Sequence, residues 1–174
     1  MCAREKPVCP DEQACLALLQ TYGTPAHVIA HCKAVAAAAD RMGHALVERG
    51  YALNLRLIRA AALLHDIART EPDHPTAGAR YVERAGGCPA LGEIIRVHMD
   101  LPEEMTDRIT EAMVVYLADK LVEEDREVTL EQRFLPRIHR AEEPVRTIIE
   151  EKYRRAQRVF RLVEAALSGE NRQE

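Results

Sequence analysis

The sequence predicts an all-α fold, and three of its features support that prediction. Apolar residues recur at the three- and four-residue spacing of an amphipathic helix. No segment alternates apolar and polar residues for long enough to form a strand. Gly, Pro and short polar residues separate the apolar segments, as they do where helices begin and end. We therefore expect seven or eight helices in one domain spanning residues 1–174.

Caps and breaks give the helix boundaries in chain order. Asp11, Thr24 and Asn54 are placed to cap the first three helices, and Thr106 or Asp107 is placed to cap a later one. A loose arm over residues 1–10 and a polar tail after Gly169 complete the chain. The predicted helices span residues 12–22, 25–48, 55–69, 76–85, 89–98, 108–123, 130–140 and 144–167.

Two of the predicted helices are apolar on nearly all sides, which indicates that they are central in the fold. They are the third helix and the one centred on residues 112–118. The long C-terminal helix has a single apolar stripe, so it packs on its own domain or against a second copy, as a monomer or a homodimer.

Composition limits the classes of function. The formal net charge is −4 and Trp is absent, which disfavours a nucleic-acid scaffold role and a base-stacking surface. The apolar runs are too short to span a bilayer, and the N-terminus lacks the apolar core of a signal peptide, so we expect a cytoplasmic protein without membrane contact. Five cysteines without a CxxC pair indicate reduced thiols rather than a disulfide framework or zinc knuckle.

Ionisable side chains lie where apolar helices would normally exclude them. His31, the His65-Asp66 pair and Asp119 each lie within or at the end of an apolar helix, where burial without a partner is costly. His74 and His98 lie at breaks between helices. Taken singly, each group is most simply a core histidine or a helix cap. Taken together, four imidazoles and two carboxylates favour a divalent transition-metal site.

The same residues carry a resemblance to a known family. His31, His65-Asp66 and Asp119 resemble the H…HD…D pattern of the HD-domain metal-dependent phosphohydrolases, and the match covers about residues 25–125. The resemblance implies an all-α HD bundle followed by C-terminal helices over 130–167. It also implies that His31, His65, Asp66 and Asp119 hold a metal ion.

A narrower resemblance concerns a second ion. The segment around His74 and the later His98 resemble the two-metal members, among them the bacterial diadenosine-tetraphosphate hydrolases. On that resemblance His74 and His98 complete a binuclear site with Asp66 as the bridge. The ions would be Fe or Mn, with Zn, Ni and Mg as alternatives.

The implied activity is hydrolysis of a nucleotide or a related phosphate ester or anhydride by attack of a metal-bound hydroxide. Asp66 and Lys120 are the predicted catalytic residues, and Arg69 and His27 are the predicted contacts to a small anionic, phosphate-containing substrate. For Lys120 and Arg69, a solvated surface side chain is the simpler reading. The alternatives are a di-iron oxygenase of the same superfamily, a nucleotide-binding regulator without catalysis, and a one-metal site.

Overall fold

The computed structural model describes residues 9–169, and most of the predicted N-terminal arm and the polar tail lie outside that range. It confirms the all-α fold, with eight α-helices and one short hairpin in the described residues. The elements are α1 (Glu12–Tyr22), α2 (Ala26–Glu48), α3 (Leu55–Leu64), α4 (His74–Arg84), α5 (Pro89–Val97), α6 (Glu111–Lys120), β1 (Val122–Glu123), β2 (Arg126–Glu127), α7 (Leu130–Arg140) and α8 (Val145–Ser168), with a 3-10 turn at Glu103–Met105.

Side-chain caps start several helices where the sequence places them. The carboxylate of Asp11 accepts from the backbone N–H of Ala14 at 2.9 Å, and Asn54 accepts from Leu57 at 3.1 Å. Thr129 forms a complete capping box at the start of α7. Each cap satisfies an N–H that the helix itself leaves without a partner.

The predicted role of Thr24 is wrong. Its hydroxyl donates to the backbone carbonyl of Ile67 at 2.7 Å, and α2 begins at Ala26, with Pro25 at the cap position and no side-chain cap. Thr24 is buried, and this bond joins the start of α2 to the turn that follows α3. A long-range acceptor therefore takes the hydroxyl that a local cap would use.

Three predicted boundaries also differ from the structure. Helix α3 ends at Leu64 rather than near Arg69. Beyond Leu64, the backbone N–H groups of Ile67 and Arg69 donate to the carbonyls three residues earlier, at Leu64 and Asp66, instead of four residues earlier as in an α-helix. Helix α4 begins at His74 rather than residue 76. Helix α6 spans residues 111–120 rather than 108–123, and its cap is Thr110 rather than residue 106 or 107.

The expectation of no strands is wrong over residues 122–127. Two-residue strands pair there as an antiparallel hairpin, with Val122 opposite Glu127 and Glu123 opposite Arg126. Its turn places the backbone of Glu124 in the left-handed region at φ 55°, which residues other than Gly seldom adopt. Strands this short have no room for a period-two pattern, so the sequence signal is absent.

Helices α3 and α6 form the centre of the fold, as their all-round apolar sequences predict. Helix α2 packs along both of them, α4 pairs with α5, and α7 pairs with α8. Every residue of α6 after Glu111 is buried. Because α2, α3, α5 and α6 are packed together, polar groups near their ends meet inside the bundle.

Candidate metal centre

Six predicted ligands arrive from five separate places in the fold. His31 lies in the second turn of α2, and His65 and Asp66 form the turn after α3. His74 opens α4, His98 ends α5, and Asp119 lies one residue before the end of α6. All but His31 are buried, and the His31 side chain is only 15% exposed. The helix ends bring together residues that are up to 88 positions apart.

Backbone carbonyls fix the orientation of three imidazoles. The Nδ1 atoms of His31, His65 and His98 lie 2.7, 2.8 and 2.7 Å from the carbonyls of Glu124, Ala62 and Ile95. A carbonyl can only accept, so each Nδ1 carries the proton. In the neutral ring the lone pair is then on Nε2, which is the arrangement that a metal-binding histidine uses.

The first group of converging atoms comprises His31, His65 and Asp119. Nε2 of His31 lies 3.2 Å from Oδ1 of Asp119, and Nε2 of His65 lies 3.7 Å from the same oxygen. The rings of His31 and His65 are 5.3 Å apart between centroids. Two imidazoles and a carboxylate therefore face one small space.

Asp66 faces two different pairs of imidazoles with its two oxygens. Oδ2 lies 3.7 Å from Nε2 of His65 and 4.0 Å from Nε2 of His31. Oδ1 lies 3.3 Å from Nε2 of His98 and 3.2 Å from Nε2 of His74. His65, Asp66 and His98 form a second group of potential ligands, which shares His65 with the first. This geometry is suitable for a bridging carboxylate.

Buried polar atoms without partners test whether this site fits a metal. Nε2 of His65, Nε2 of His98 and Oδ1 of Asp66 are buried and have no hydrogen-bond partner within residues 9–169. Lone pairs that face one another in a buried space repel, and each unsatisfied group costs about 1–3 kcal/mol. A cation between them removes both costs. The donor set of imidazoles and carboxylates fits a divalent metal.

Both carboxylates are held in the ionised form. Burial alone would raise the pKa of Asp66. Electrostatic attraction to His65 and the close contacts with His74 and His98 outweigh burial and hold that pKa well below its usual range. Burial is likewise outweighed at Asp119, whose pKa is lowered by Lys120 and His31.

The imidazoles differ in their protonation. Burial lowers the pKa of His65 to about 4, so the ring is neutral at pH 7. Burial also opposes the charged form of His31, but Asp119 and the Glu124 carbonyl raise its pKa. A cation can therefore bind His65 without displacing a proton, whereas at His31 a proton competes with the cation more strongly.

The predicted catalytic residue Lys120 lies inside the site. Its ammonium group is 2.5 Å from Oδ2 of Asp119 and donates to the carbonyl of His98 at 3.2 Å. It also lies 4.9 Å from the centre of the Tyr116 ring. Burial lowers the pKa of Lys120, and Asp119 opposes that shift. Lys120 and His31 therefore contact different oxygens of Asp119, Oδ2 and Oδ1 respectively.

The two predicted substrate contacts occupy different positions. Arg69 is 47% exposed, with Nε 3.5 Å from Oδ2 of Asp66 and Nη1 3.2 Å from Nε2 of His74. It therefore lies at the rim of the site and shares His74 with Asp66. His27 is exposed on α2, one helical turn before His31. Their part in substrate binding stays a prediction.

Sequence reasoning missed two groups that contact the site. Arg133 of α7 donates to the carbonyl of Asp119 at 2.7 Å, and the Glu124 carbonyl holds His31. Neither contact gives a sequence motif, because in both of them the acceptor is a backbone carbonyl, which every residue carries.

Within the described residues, no helix is long and apolar enough to cross a membrane.

Comparison with curated proteins gives two relatives that are longer than this chain. A tRNA (cytidine(56)-2'-O)-methyltransferase from Thermoplasma volcanium is 30% identical over 141 residues, which is 72% of this chain and 40% of that protein. A protein of the same name from Picrophilus torridus is 32% identical over 140 residues, 71% of this chain and 39% of its own length. This chain thus spans about two fifths of these two relatives.

A third relative, an uncharacterised protein from Methanocaldococcus jannaschii, is 32% identical over 76 residues, 42% of this chain and 45% of its own length. No solved structure matches. Residues 28–124, more than half of the chain, match the family described as HD domain. That segment contains all six residues of the site above. The chain belongs to the HD domain family.

Proposed function

We propose that this protein is a metal-dependent phosphohydrolase that acts on a nucleotide or a related phosphate ester or anhydride. The observation that carries the proposal is Asp66, whose two oxygens face separate pairs of imidazoles at 3.2–4.0 Å. Membership of the HD domain family supports it, since the resemblance implies phosphohydrolase chemistry.

His31, His65, Asp66 and Asp119 would hold one divalent ion, and Asp66, His98 and His74 would hold a second. When bound, such ions lower the pKa of a water molecule and compensate charge on a phosphoryl group. Fe or Mn suits this donor set best, and Zn, Ni and Mg are alternatives. In the one-metal alternative, His74 and His98 would hold phosphate instead.

The chain's own residues would prepare the site for an anion. The neutral, buried His65 keeps its lone pair directed into the site, because Nδ1–H donates to Ala62. Lys120 partly neutralises the charge of Asp119 through its contact with Oδ2. Arg69, at the exposed rim, is the side chain best placed to contact a phosphate oxygen, and His27 is a second candidate. A guanidinium suits this contact because its donors match two phosphate oxygens.

The test begins with protein purified without chelator and analysed for bound metals. A phosphate-release screen then covers mononucleotides, dinucleoside polyphosphates and simple phosphate esters with Mn²⁺ or Fe²⁺ added. Asp66→Asn should lower turnover by at least about 100-fold, because it removes the negative charge of the carboxylate that faces both pairs of imidazoles. Asp125→Asn, an exposed change on the neighbouring hairpin, should leave turnover unchanged. Metal-loaded protein that releases phosphate from no compound would refute the proposal.

Two alternatives from the same family are separated by this screen. A di-iron oxygenase would consume O₂ and lose its activity under anaerobic conditions, whereas phosphate release would continue. A nucleotide-binding regulator would bind nucleotides without turnover. Dinucleoside polyphosphates enter the screen because of the sequence resemblance, although the comparisons do not support that narrower assignment.

The names of the curated relatives suggest a different reaction on tRNA. About three fifths of each methyltransferase-named relative lies outside the part that this chain matches, so methyl transfer is not carried over. We expect a protein that works in the cytoplasm without a nucleic-acid scaffold role. We also expect it to be a monomer or a homodimer, and size-exclusion chromatography with light scattering tests this oligomeric state.

A further inference from the structure

We infer that Arg133 is a positioning residue of the metal centre, holding Asp119 directly and His31 through the hairpin. The inference rests on the metal site of the proposed function, but it does not depend on which reaction the site performs. Arg133 lies on α7, outside the segment that matches the HD domain family. Its side chain is only 14% exposed, in contrast to most arginines on helices.

The guanidinium closes the end of α6. Its Nη1 donates to the carbonyl of Asp119 at 2.7 Å and to the carbonyl of Val122, and Nη2 lies 3.8 Å from Oδ1 of Asp119. The last carbonyls of a helix have no partner within it, so a donor at this point is stabilising. One rigid group thus fixes the backbone and the charge of a predicted ligand.

The same contact reaches His31 by way of the hairpin. Val122 is buried and begins β1, and the turn of the hairpin presents the Glu124 carbonyl to Nδ1 of His31 at 2.7 Å. The turn is held in a left-handed conformation at Glu124. If β1 shifts away from α6, this carbonyl moves and the His31 ring loses its orientation. His65 and His98 have no such dependence, because their acceptors are carbonyls three residues earlier in the chain.

Arginine chemistry explains the choice of side chain. A guanidinium is planar, stays charged and carries several donors in a fixed fork, so it can serve two carbonyls and a carboxylate together. A lysine has a single charged nitrogen and cannot span all three acceptors. Arg133→Lys should therefore restore only part of the function that Arg133→Met removes.

Arg137 supplies a matched control. It lies one turn further along α7 and forms an ion pair with Glu123 of the same hairpin at 2.6 Å, but its side chain is 47% exposed. Arg137→Met removes a cation that contacts the hairpin without touching Asp119 or Val122. A general loss of charge or of helix surface would affect both variants equally.

The experiment measures Zn²⁺ affinity by competition with a chromophoric chelator. We expect Arg133→Met to weaken affinity about 10–100-fold, as other supporting contacts of metal ligands do, Arg133→Lys to fall between, and Arg137→Met to stay within about threefold of wild type. The second readout is exchange of the three imidazole Nδ1–H protons with water, followed by NMR. Exchange at His31 should accelerate in Arg133→Met, whereas exchange at His65 and His98 should not.

Two results overturn the inference: Arg133→Met with wild-type affinity and unchanged His31 exchange, or equal acceleration at all three histidines. Should Arg133→Met fail to fold, Arg133→Lys gives the same comparison with the charge retained. Wild-type protein that binds Zn²⁺ but hydrolyses nothing refutes the proposed function alone. A wild type that binds no metal refutes the metal centre and the inference with it, and the exchange measurement, which needs no metal, still tests the contact of the hairpin with His31.

Discussion

Replacing His65 by Leu should have opposite effects on stability with and without metal. Nε2 of His65 is buried without a hydrogen-bond partner in the described part of the chain, and relieving that penalty is worth about 1–3 kcal/mol. The substitution also removes the bond from Nδ1 to Ala62, which costs about 1 kcal/mol. Leu is close to His in volume, so no large cavity follows. Metal-free H65L should be as stable as wild type or up to about 2 kcal/mol more stable.

Metal reverses the order. At a free ion concentration 100 times the dissociation constant, binding stabilises the wild type by about 2.7 kcal/mol. For a chain of this size that corresponds to a rise in Tm of roughly 5–10 °C. His65 belongs to both groups of potential ligands, so H65L should lose most of this gain.

The assay is thermal and urea unfolding followed by circular dichroism, once in EDTA and once with Zn²⁺ or Mn²⁺ in excess. The control is His44→Leu, an exposed change on α2, which should shift stability by less than about 0.5 kcal/mol in both conditions. The reasoning fails if H65L in EDTA loses several kcal/mol, or if H65L still gains the wild-type stabilisation from metal.

Three further predictions concern pH and the packing that supports the site. The pKa of His65 lies near 4 in the folded protein and 6.5 in the unfolded chain. Its titration therefore leaves the free energy of unfolding unchanged above pH 6.5 and lowers it as the pH falls toward 4, because the unfolded chain then binds a proton that the folded protein excludes. The free energy of unfolding by urea in EDTA should therefore fall in wild type by up to about 3 kcal/mol between pH 7 and 4.5, beyond any fall in H65L, and an equal fall in the two proteins would contradict this. Thr24→Val should cost about 1–2 kcal/mol in urea unfolding because it leaves the buried Ile67 carbonyl unpaired, whereas Thr24→Ser, which keeps the hydroxyl, should stay near wild type. Gly78→Val should cost about 1–3 kcal/mol and weaken Zn²⁺ binding, since a Cβ at Gly78 would lie 3.0 Å from Cγ2 of Ile67 and the added methyls would push α4 and its first residue His74 outward. Gly78→Ala should do much less, and a Gly78→Val protein that unfolds and binds Zn²⁺ as wild type does would show that α4 is not tightly seated.

The amino-acid sequence by itself determined the fold class and the identity of the candidate ligands. Apolar spacing and the caps at Asp11 and Asn54 are local signals, so they survive without knowledge of the tertiary structure. The contrast between apolar helices and the ionisable groups at His65, Asp66 and Asp119 is likewise visible in one dimension, because burial of such groups requires compensation.

Only the tertiary structure decided how those groups face one another and what supports them. The separate pairing of the two Asp66 oxygens, the contact of Lys120 with Asp119, and the role of Arg133 depend on distances between elements that no local pattern encodes. Thr24 and the hairpin at 122–127 were predicted wrongly for the same reason, since a distant carbonyl and a backbone turn determined their conformation. Local preferences of about 1 kcal/mol set where helices can begin, and packing of the whole bundle determines which of those positions are used.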